Sequence, residues 1–306
     1  HLFFRKPSKN IHYSVENFYR EIFKDFRDEN IEIKTKICPL SSRGIFNRIY
    51  LIFWAFFNQG DINHVTGDIN FISLFLQKRK TINTILDLYS LERLIGLKKF
   101  LYKIFWIRLP ILKSSLIIAI SKKIKNDLKI YLPKKKKIEV IDICTSSNFK
   151  KNSKKFGKIP KILLIGTRDN KNLERVIKSL EKQNIKLIII GELSIHQKNL
   201  LSKNKIDYEN YVGINNNYLI KQYFKSDILV FVSTYEGFGV PIIEAQKIGR
   251  AVITSNLYPM KYVAGNGALL VNPKSVKSIK SGILKIINNR RLRDNLINNG
   301  YKNVNR

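Results

Sequence analysis

Two carboxylates, Glu236 and Glu244, separated by seven residues, are the groups of this chain best arranged to do chemistry. They lie in residues 233–245, Ser-Thr-Tyr-Glu-Gly-Phe-Gly-Val-Pro-Ile-Ile-Glu-Ala. An apolar run, 228–232, precedes them and reads as a strand buried on both faces. Pro241 suits the first turn of a helix and Gly249 its end. A glycine turn between strand and helix offers free N–H groups and the positive end of a helix dipole, which suits an anionic or polyhydroxyl ligand. One carboxylate stands before that turn and the other inside the helix. The spacing fits two hydroxyl-bearing parts of one ligand, such as a sugar and a ribose. The plainer alternative is a glycine turn closing a strand–helix unit with two solvated glutamates.

A second cluster supplies positive charge. Gly166, Arg168, Lys171 and Asn172 follow the apolar run 161–165 and open the next helix. Arg168 and Lys171 thus stand at the carboxyl end of a strand, where ligands bind in open α/β sheets. Two exposed basic residues in a turn are the alternative reading.

The elements that position these groups alternate strand and helix, which predicts parallel sheets and an α/β class. In the first half, strands are expected near residues 2–5, 31–37, 62–65, 82–87, 116–119 and 138–143, with helices such as 15–27 and 45–57 between them. Residues 145–160 are polar, basic and aperiodic, and read as a linker. The second half restarts with strand 161–166, a helix near 173–180, and strands 187–190, 227–232 and 251–254. The predicted domains are 1–157, with the linker from about 145, and 158–306.

From Glu236 to Ala245 the sequence resembles the signature of the retaining glycosyltransferases of family 4, the "group 1" type, residue for residue. Residues 249–256 and 267–273 are similar to the next two blocks of that family. The resemblance implies a GT-B fold, two Rossmann-like domains with parallel sheets facing a central cleft. It implies that Glu244 holds the ribose of a nucleotide diphosphate sugar. Glu236 and the backbone around Gly237, Phe238, Gly239, Val240 and Pro241 would face the transferred sugar and its phosphates. Gly166, Arg168 and Lys171 would receive the departing diphosphate, so that no metal or other cofactor is required. The first domain would take a glycan or lipid-linked acceptor.

That first half departs from the family. The stretch 5–14, where relatives carry glycines near the donor phosphates, has none; its Lys9, His12 and Ser14 could hydrogen-bond phosphate or acceptor. His64-Val-Thr-Gly-Asp68 matches a family block, whereas Leu86 stands where the next block has histidine. Asp87 could still orient an acceptor hydroxyl, and His64 reads equally as an acceptor-side group or a satisfied structural histidine. Tyr262 replaces a common glutamate. These departures keep a second reading open, a silent GT-B domain that binds a sugar nucleotide or partner without transfer.

Composition is that of a two-domain globular protein, with 306 residues and 44% hydrophobic residues. Cys38 and Cys144 lack metal-ligand spacing, which points to a reducing, cytoplasmic compartment. A single methionine, Met260, and a histidine at position 1 lead us to expect residues missing from the ends of the chain. The formal charge of +33 raises the question of nucleic acid. Residues 1–157 hold 31 basic and 13 acidic residues, and the remainder 25 and 10, so the excess is spread evenly and no nucleic-acid partner is expected. An anionic membrane surface, the inner face of the cell membrane, is a reasonable partner for such charge. No run reaches the ~20 apolar residues of a membrane span. Residues 49–57 read as a core helix. Residues 98–113 interleave lysine and arginine with aromatics, as in a helix lying on a membrane or an amphipathic helix packed on a sheet.

Overall fold

The structure is a computed structural model describing residues 1–7, 14–24, 26, 28, 30–132 and 136–305. The described residues divide into two units, one running to Ile143 and the other beginning at Cys144.

The first unit is built on six parallel strands: β1 (Leu2–Phe4), β2 (Thr35–Ile37), β3 (Asn63–Val65), β4 (Thr81–Ile85), β5 (Leu116–Ala119) and β6 (Ile138–Val140). They lie in the order β2-β1-β3-β4-β5-β6. Phe3 and Val65 face a core with Leu51, Ala55, Ile69, Phe71 and Ile72. The strand expected over 31–37 forms only at Thr35–Ile37, because the residues before it are exposed or half-exposed and have no face to bury.

The second unit has its own parallel sheet: β7 (Lys161–Ile165), β8 (Lys186–Ile190), β9 (Asp207–Tyr211), β10 (Ile228–Phe231), β11 (Ala251–Ser255) and β12 (Leu269–Val271). Its order is β12-β11-β10-β7-β8-β9. This is the doubly wound order in which the sequence of strands reverses between the first and fourth, here β7 and β10, while all six stay parallel. β10 is apolar throughout and β7 is apolar from Ile162 onward, as burial under helices on two faces requires. Ile162, Leu164, Leu187, Ile189, Ile228, Val230 and Ile253 form the core of this unit. Helix starts are written locally: Ser194 and Gln197 make a reciprocal capping box for Ile195–Lys203, and Asn215 caps Asn216–Lys225.

Two expectations need correction. The polar stretch from 145 is not a free linker: it is fastened along the second unit. Phe149 is 1% exposed and meets Tyr223 edge to face. The Asn152 carbonyl accepts from Arg250 at 2.9 Å, and Lys154 pairs with buried Asp227 at 2.5 Å. Single contacts of this kind leave no periodic trace in a sequence. The other correction concerns residues 49–57, read as a core helix and here part of helix Ile45–Phe57. Leu51 and Ala55 are buried, but Ile45, Phe46, Ile49, Tyr50, Phe53, Phe56 and Phe57 are exposed. Among the described residues, no helix is long and apolar enough to cross a membrane.

Candidate active site

The loops after β7 and β10 meet at the point where the strand order of the second sheet reverses, the usual crevice for a ligand in such sheets. Leaving β7, the chain turns at Gly166 with φ +88°. A Cβ there would lie 2.9 Å from Cγ and Cε of Lys171, so the glycine makes room for the lysine stem. A short 3-10 turn, Asp169–Lys171, then leads through Asn172, itself left-handed at φ 62°, into helix Leu173–Ser179.

Leaving β10, residues 232–239 form the second loop. Gly239 adopts φ 114°, and helix Val240–Ile248 follows with Pro241 in its first turn and left-handed Gly249 as its cap. These are the bounds the glycines and proline imply. Phe238 is buried, so a ligand role there falls to its backbone amide.

Two asparagines join the loops. Asn170 donates its side-chain N–H to the Tyr235 carbonyl at 3.0 Å and accepts from the Thr234 amide at 2.8 Å. Asn172 donates to the carbonyls of Val232 at 3.0 Å and Pro273 at 2.7 Å. Both asparagines are buried. With the loops so fixed, Lys171 Nζ reaches Glu236 Oε1 at 2.6 Å and lies 4.8 Å from the centroid of the Phe231 ring. Arg168 is exposed at the same strand end.

Glu244 projects from the following helix and accepts a hydrogen bond from the Tyr223 hydroxyl at 2.5 Å. Although the residue as a whole is half-buried, its carboxyl group is withdrawn from water. Burial pushes its pKa up to about 7, and the Tyr223 hydrogen bond partly opposes that shift. Burial and the adjacent carboxylate push the Tyr223 phenol well above its ordinary range. Arg250 donates to the Tyr223 carbonyl at 3.0 Å and so anchors the helix that presents it. Sequence reasoning missed Asn170 and Tyr223. Asn170 stands in the loop between Arg168 and Lys171, whose charges drew the reading; Tyr223 lies 21 residues before Glu244, with no local signal linking the two.

In the first unit the outcome is different. His64 lies within β3, where its Nε2 is 2.8 Å from Thr84 Oγ1 and 3.2 Å from the Tyr19 hydroxyl. Burial lowers its pKa to about 4, which leaves the ring neutral. Asp87 is exposed past the end of β4 and accepts from the Tyr89 amide at 2.9 Å. Leu86 packs against Gly67, where a Cβ would lie 2.5 Å from its Cδ1. Arg5, at the end of β1, pairs with Glu16 and Asp68. His12 and Lys9 lie outside the described residues; Ser14 is the first residue of helix Ser14–Lys24, and its side chain is also outside them. Among the described residues, no three His, Cys, Asp or Glu side chains converge to hold a metal ion.

Two α/β units, each built on a six-stranded parallel sheet, are those of the GT-B fold. Residues 145–303 match the family model described as Glycosyl transferases group 1, and the chain belongs to that family of glycosyltransferases. It is similar to the capsular polysaccharide biosynthesis glycosyltransferase CapM of Staphylococcus aureus, with 30% identity over 274 residues, 78% of this chain and 69% of CapM. The fold is shared with sucrose-phosphate synthase from Thermosynechococcus elongatus, at TM-score 0.76 and 16% identity, over 90% of this chain and 80% of that one. It is shared equally with Anabaena HepE in complex with UDP and glucose, at TM-score 0.74 and 14% identity, over 98% and 93% of the two chains.

Proposed function

We propose that this chain is a retaining glycosyltransferase that moves a sugar from a nucleotide diphosphate sugar to a glycan or lipid-linked acceptor without a metal ion. The observation that carries this reading is the Lys171–Glu236 pair at the switch point of the second sheet, with Glu244 on the helix that follows. Glu244 accepts from the ribose hydroxyls, and Glu236 faces the transferred sugar. Lys171, with Arg168 beside it, stabilises the charge that develops on the departing diphosphate, a large term in sites of this kind. With two cations in place, the leaving group has its counter-charge from the protein. The acceptor hydroxyl attacks from the face the diphosphate leaves and passes its proton to the departing phosphate oxygen, so the anomeric configuration is kept. The acceptor side is assigned to the first unit, with Asp87 orienting the hydroxyl. CapM, a glycosyltransferase of capsular polysaccharide biosynthesis, supports a role in polysaccharide assembly, and the HepE complex supports UDP as the first nucleotide to try.

The test begins with thermal shifts on the full chain using UDP, GDP, ADP, dTDP and CMP, in wild type and Glu244→Ala. A nucleotide at a hundred times its dissociation constant stabilises by ~2.7 kcal/mol. A shift with one diphosphate, lost in Glu244→Ala, is expected. Transfer with that donor should then survive EDTA and yield the donor's anomer by NMR. No shift with any nucleotide would remove the donor-site assignment.

A further inference from the structure

We propose that helix Ile45–Phe57 and the helix beginning at Gly96 form a face that docks on an anionic lipid bilayer. The inference starts from helix Ile45–Phe57, whose sequence is apolar except for Asn47 and Arg48 and whose apolar residues are covered on only one side. At 100° per residue its exposed residues, Ile45, Phe46, Ile49, Tyr50, Phe53, Phe56 and Phe57, fall within a single arc of less than half the helix circumference. Phe46 is 82% exposed and Phe57 79%. Phe53 meets exposed Phe75 edge to face at 5.5 Å, which extends the apolar surface onto the segment Asn70–Phe75. Isolated exposed apolar residues need no explanation, whereas a continuous aromatic face of this kind marks an interaction surface.

A second helix with exposed apolar residues lies beside it. Gly96–Tyr102 runs through a π-helical segment, Lys103–Arg108, into Leu109–Leu112. Ile107 and Ile111 are buried, while Leu97, Phe100, Leu101 and Phe105 are exposed. Trp106 joins the two helices: it stacks on Tyr102, rests on buried Phe71, and carries the Arg48 guanidinium at 4.6 Å from its ring centroid.

Charge identifies the occupant. Residues 33–60, 69–86 and 93–126 contain no aspartate or glutamate, although every one of these segments carries lysine or arginine. Exposed Arg43, Lys78, Arg79, Lys80, Lys98, Lys99 and Lys103 lie on the segments that bear the apolar face. Aromatic residues inserted at the depth of the headgroups, with cations on lipid phosphates, is the chemistry of an interfacial helix. A second copy of this chain would bring one basic rim against another, which Coulomb repulsion opposes. A deformable bilayer also suits a convex helix face better than a rigid protein partner does.

The experiment is vesicle flotation of the full chain, without nucleotide or acceptor, so that it is independent of the glycosyl-transfer reading. Vesicles of phosphatidylcholine alone are compared with vesicles containing phosphatidylglycerol, at low and high salt. Wild type is expected to float with the anionic vesicles and to be released by salt. The Phe46→Ser/Phe57→Ser double variant, which changes only exposed positions, should lose at least about tenfold in partitioning. Its circular dichroism and melting temperature should remain those of wild type, showing that the first unit is still folded. Equal binding to neutral and anionic vesicles overturns the proposal, as does a double variant that floats like wild type. A wild-type dimer by light scattering that the double variant abolishes would likewise overturn it, in favour of a second copy.

Discussion

Lys171 Nζ is already committed to Glu236, 2.6 Å from Oε1, before any ligand is considered. Both side chains are mostly buried, so each holds the other's charge in a partly desolvated setting. A diphosphate arriving at Lys171 must therefore compete with Glu236 for the ammonium. Replacing Glu236 by glutamine frees the lysine, and the variant should bind a nucleoside diphosphate without its sugar more tightly than wild type, while sugar transfer falls. Lys171→Met should weaken the same nucleotide and slow transfer by ~10²–10³, the usual loss for one charge-stabilising donor. Calorimetric titration with UDP and a transfer assay separate the two. If Glu236→Gln weakens UDP as much as Lys171→Met does, the pair is a strut for the two loops and not a competitor of the diphosphate.

Glu244 should make nucleotide binding depend on pH. Its pKa of about 7 lies above the 4.5 of an ordinary glutamate. The ionised form is the better acceptor for two ribose hydroxyls, so affinity should rise as pH increases through about 7. The Tyr223 hydroxyl favours that ionised form, so Tyr223→Phe should shift the midpoint upward. For stability the sign is the reverse. The folded state holds this proton more tightly than the unfolded chain, and its contribution is present below 4.5 and lost as pH rises through about 7. Glu244→Gln should therefore melt higher than wild type at pH 8, relative to their difference at pH 4. A nucleotide affinity that is flat from pH 6 to 8 would remove Glu244 from the ribose.

The parts of this site that follow from local rules were legible in the sequence. Glycines at 239 and 249 and the proline at 241 fixed helix Val240–Ile248, and the apolar runs before the loops fixed β7 and β10. Long-range contacts were not legible. Tyr223 meets Glu244 across 21 residues, and Asn172 meets Pro273 across 101, separations at which no spacing argument operates. Strand β9, with mostly polar, half-exposed residues, lacks the apolar run that marks a central strand, and the apolar run of β12 is only three residues long. Helix Ile45–Phe57 shows the limit from the other side. Its extent was readable to the residue, but a helix with apolar residues on both its covered and its open sides does not declare which face its neighbours cover.

His64 should be silent where Glu244 is not. Burial holds its pKa near 4, and Thr84 and Tyr19 already occupy its Nε2. Its ring resonances should not titrate between pH 5 and 8, and any activity change near pH 7 should survive His64→Asn. The unfolded histidine takes up its proton near 6.5, so the stability this neutral ring contributes is lost as pH falls from 6.5 towards 4. The expected loss is up to about 3 kcal/mol, and His64→Asn should flatten that part of the stability profile. A ring that titrates near 6.5 in the folded protein would show His64 to be solvated and available to an acceptor.

Asn172 combines a left-handed backbone with two buried hydrogen bonds, and two substitutions can separate these contributions. Asn172→Gly keeps φ 62° accessible but deletes the donors to Val232 and Pro273. Each lost bond should cost about 1 kcal/mol, and up to about 3 where a carbonyl is left buried and unpaired. Asn172→Ala loses the same bonds and adds about 1 kcal/mol of left-handed strain. In a unit of this size each kcal/mol lowers the melting temperature by about 2–4 °C, so alanine should melt a few degrees below glycine, and glycine well below wild type. The same side chain ties the Lys171 loop to the end of β10. Both variants should therefore bind nucleotide more weakly at temperatures where they remain folded. A glycine variant with wild-type melting and weakened nucleotide binding would make Asn172 a positioning residue alone. One with wild-type values for both would show that the loops are held by Asn170 and the Lys171–Glu236 pair without it.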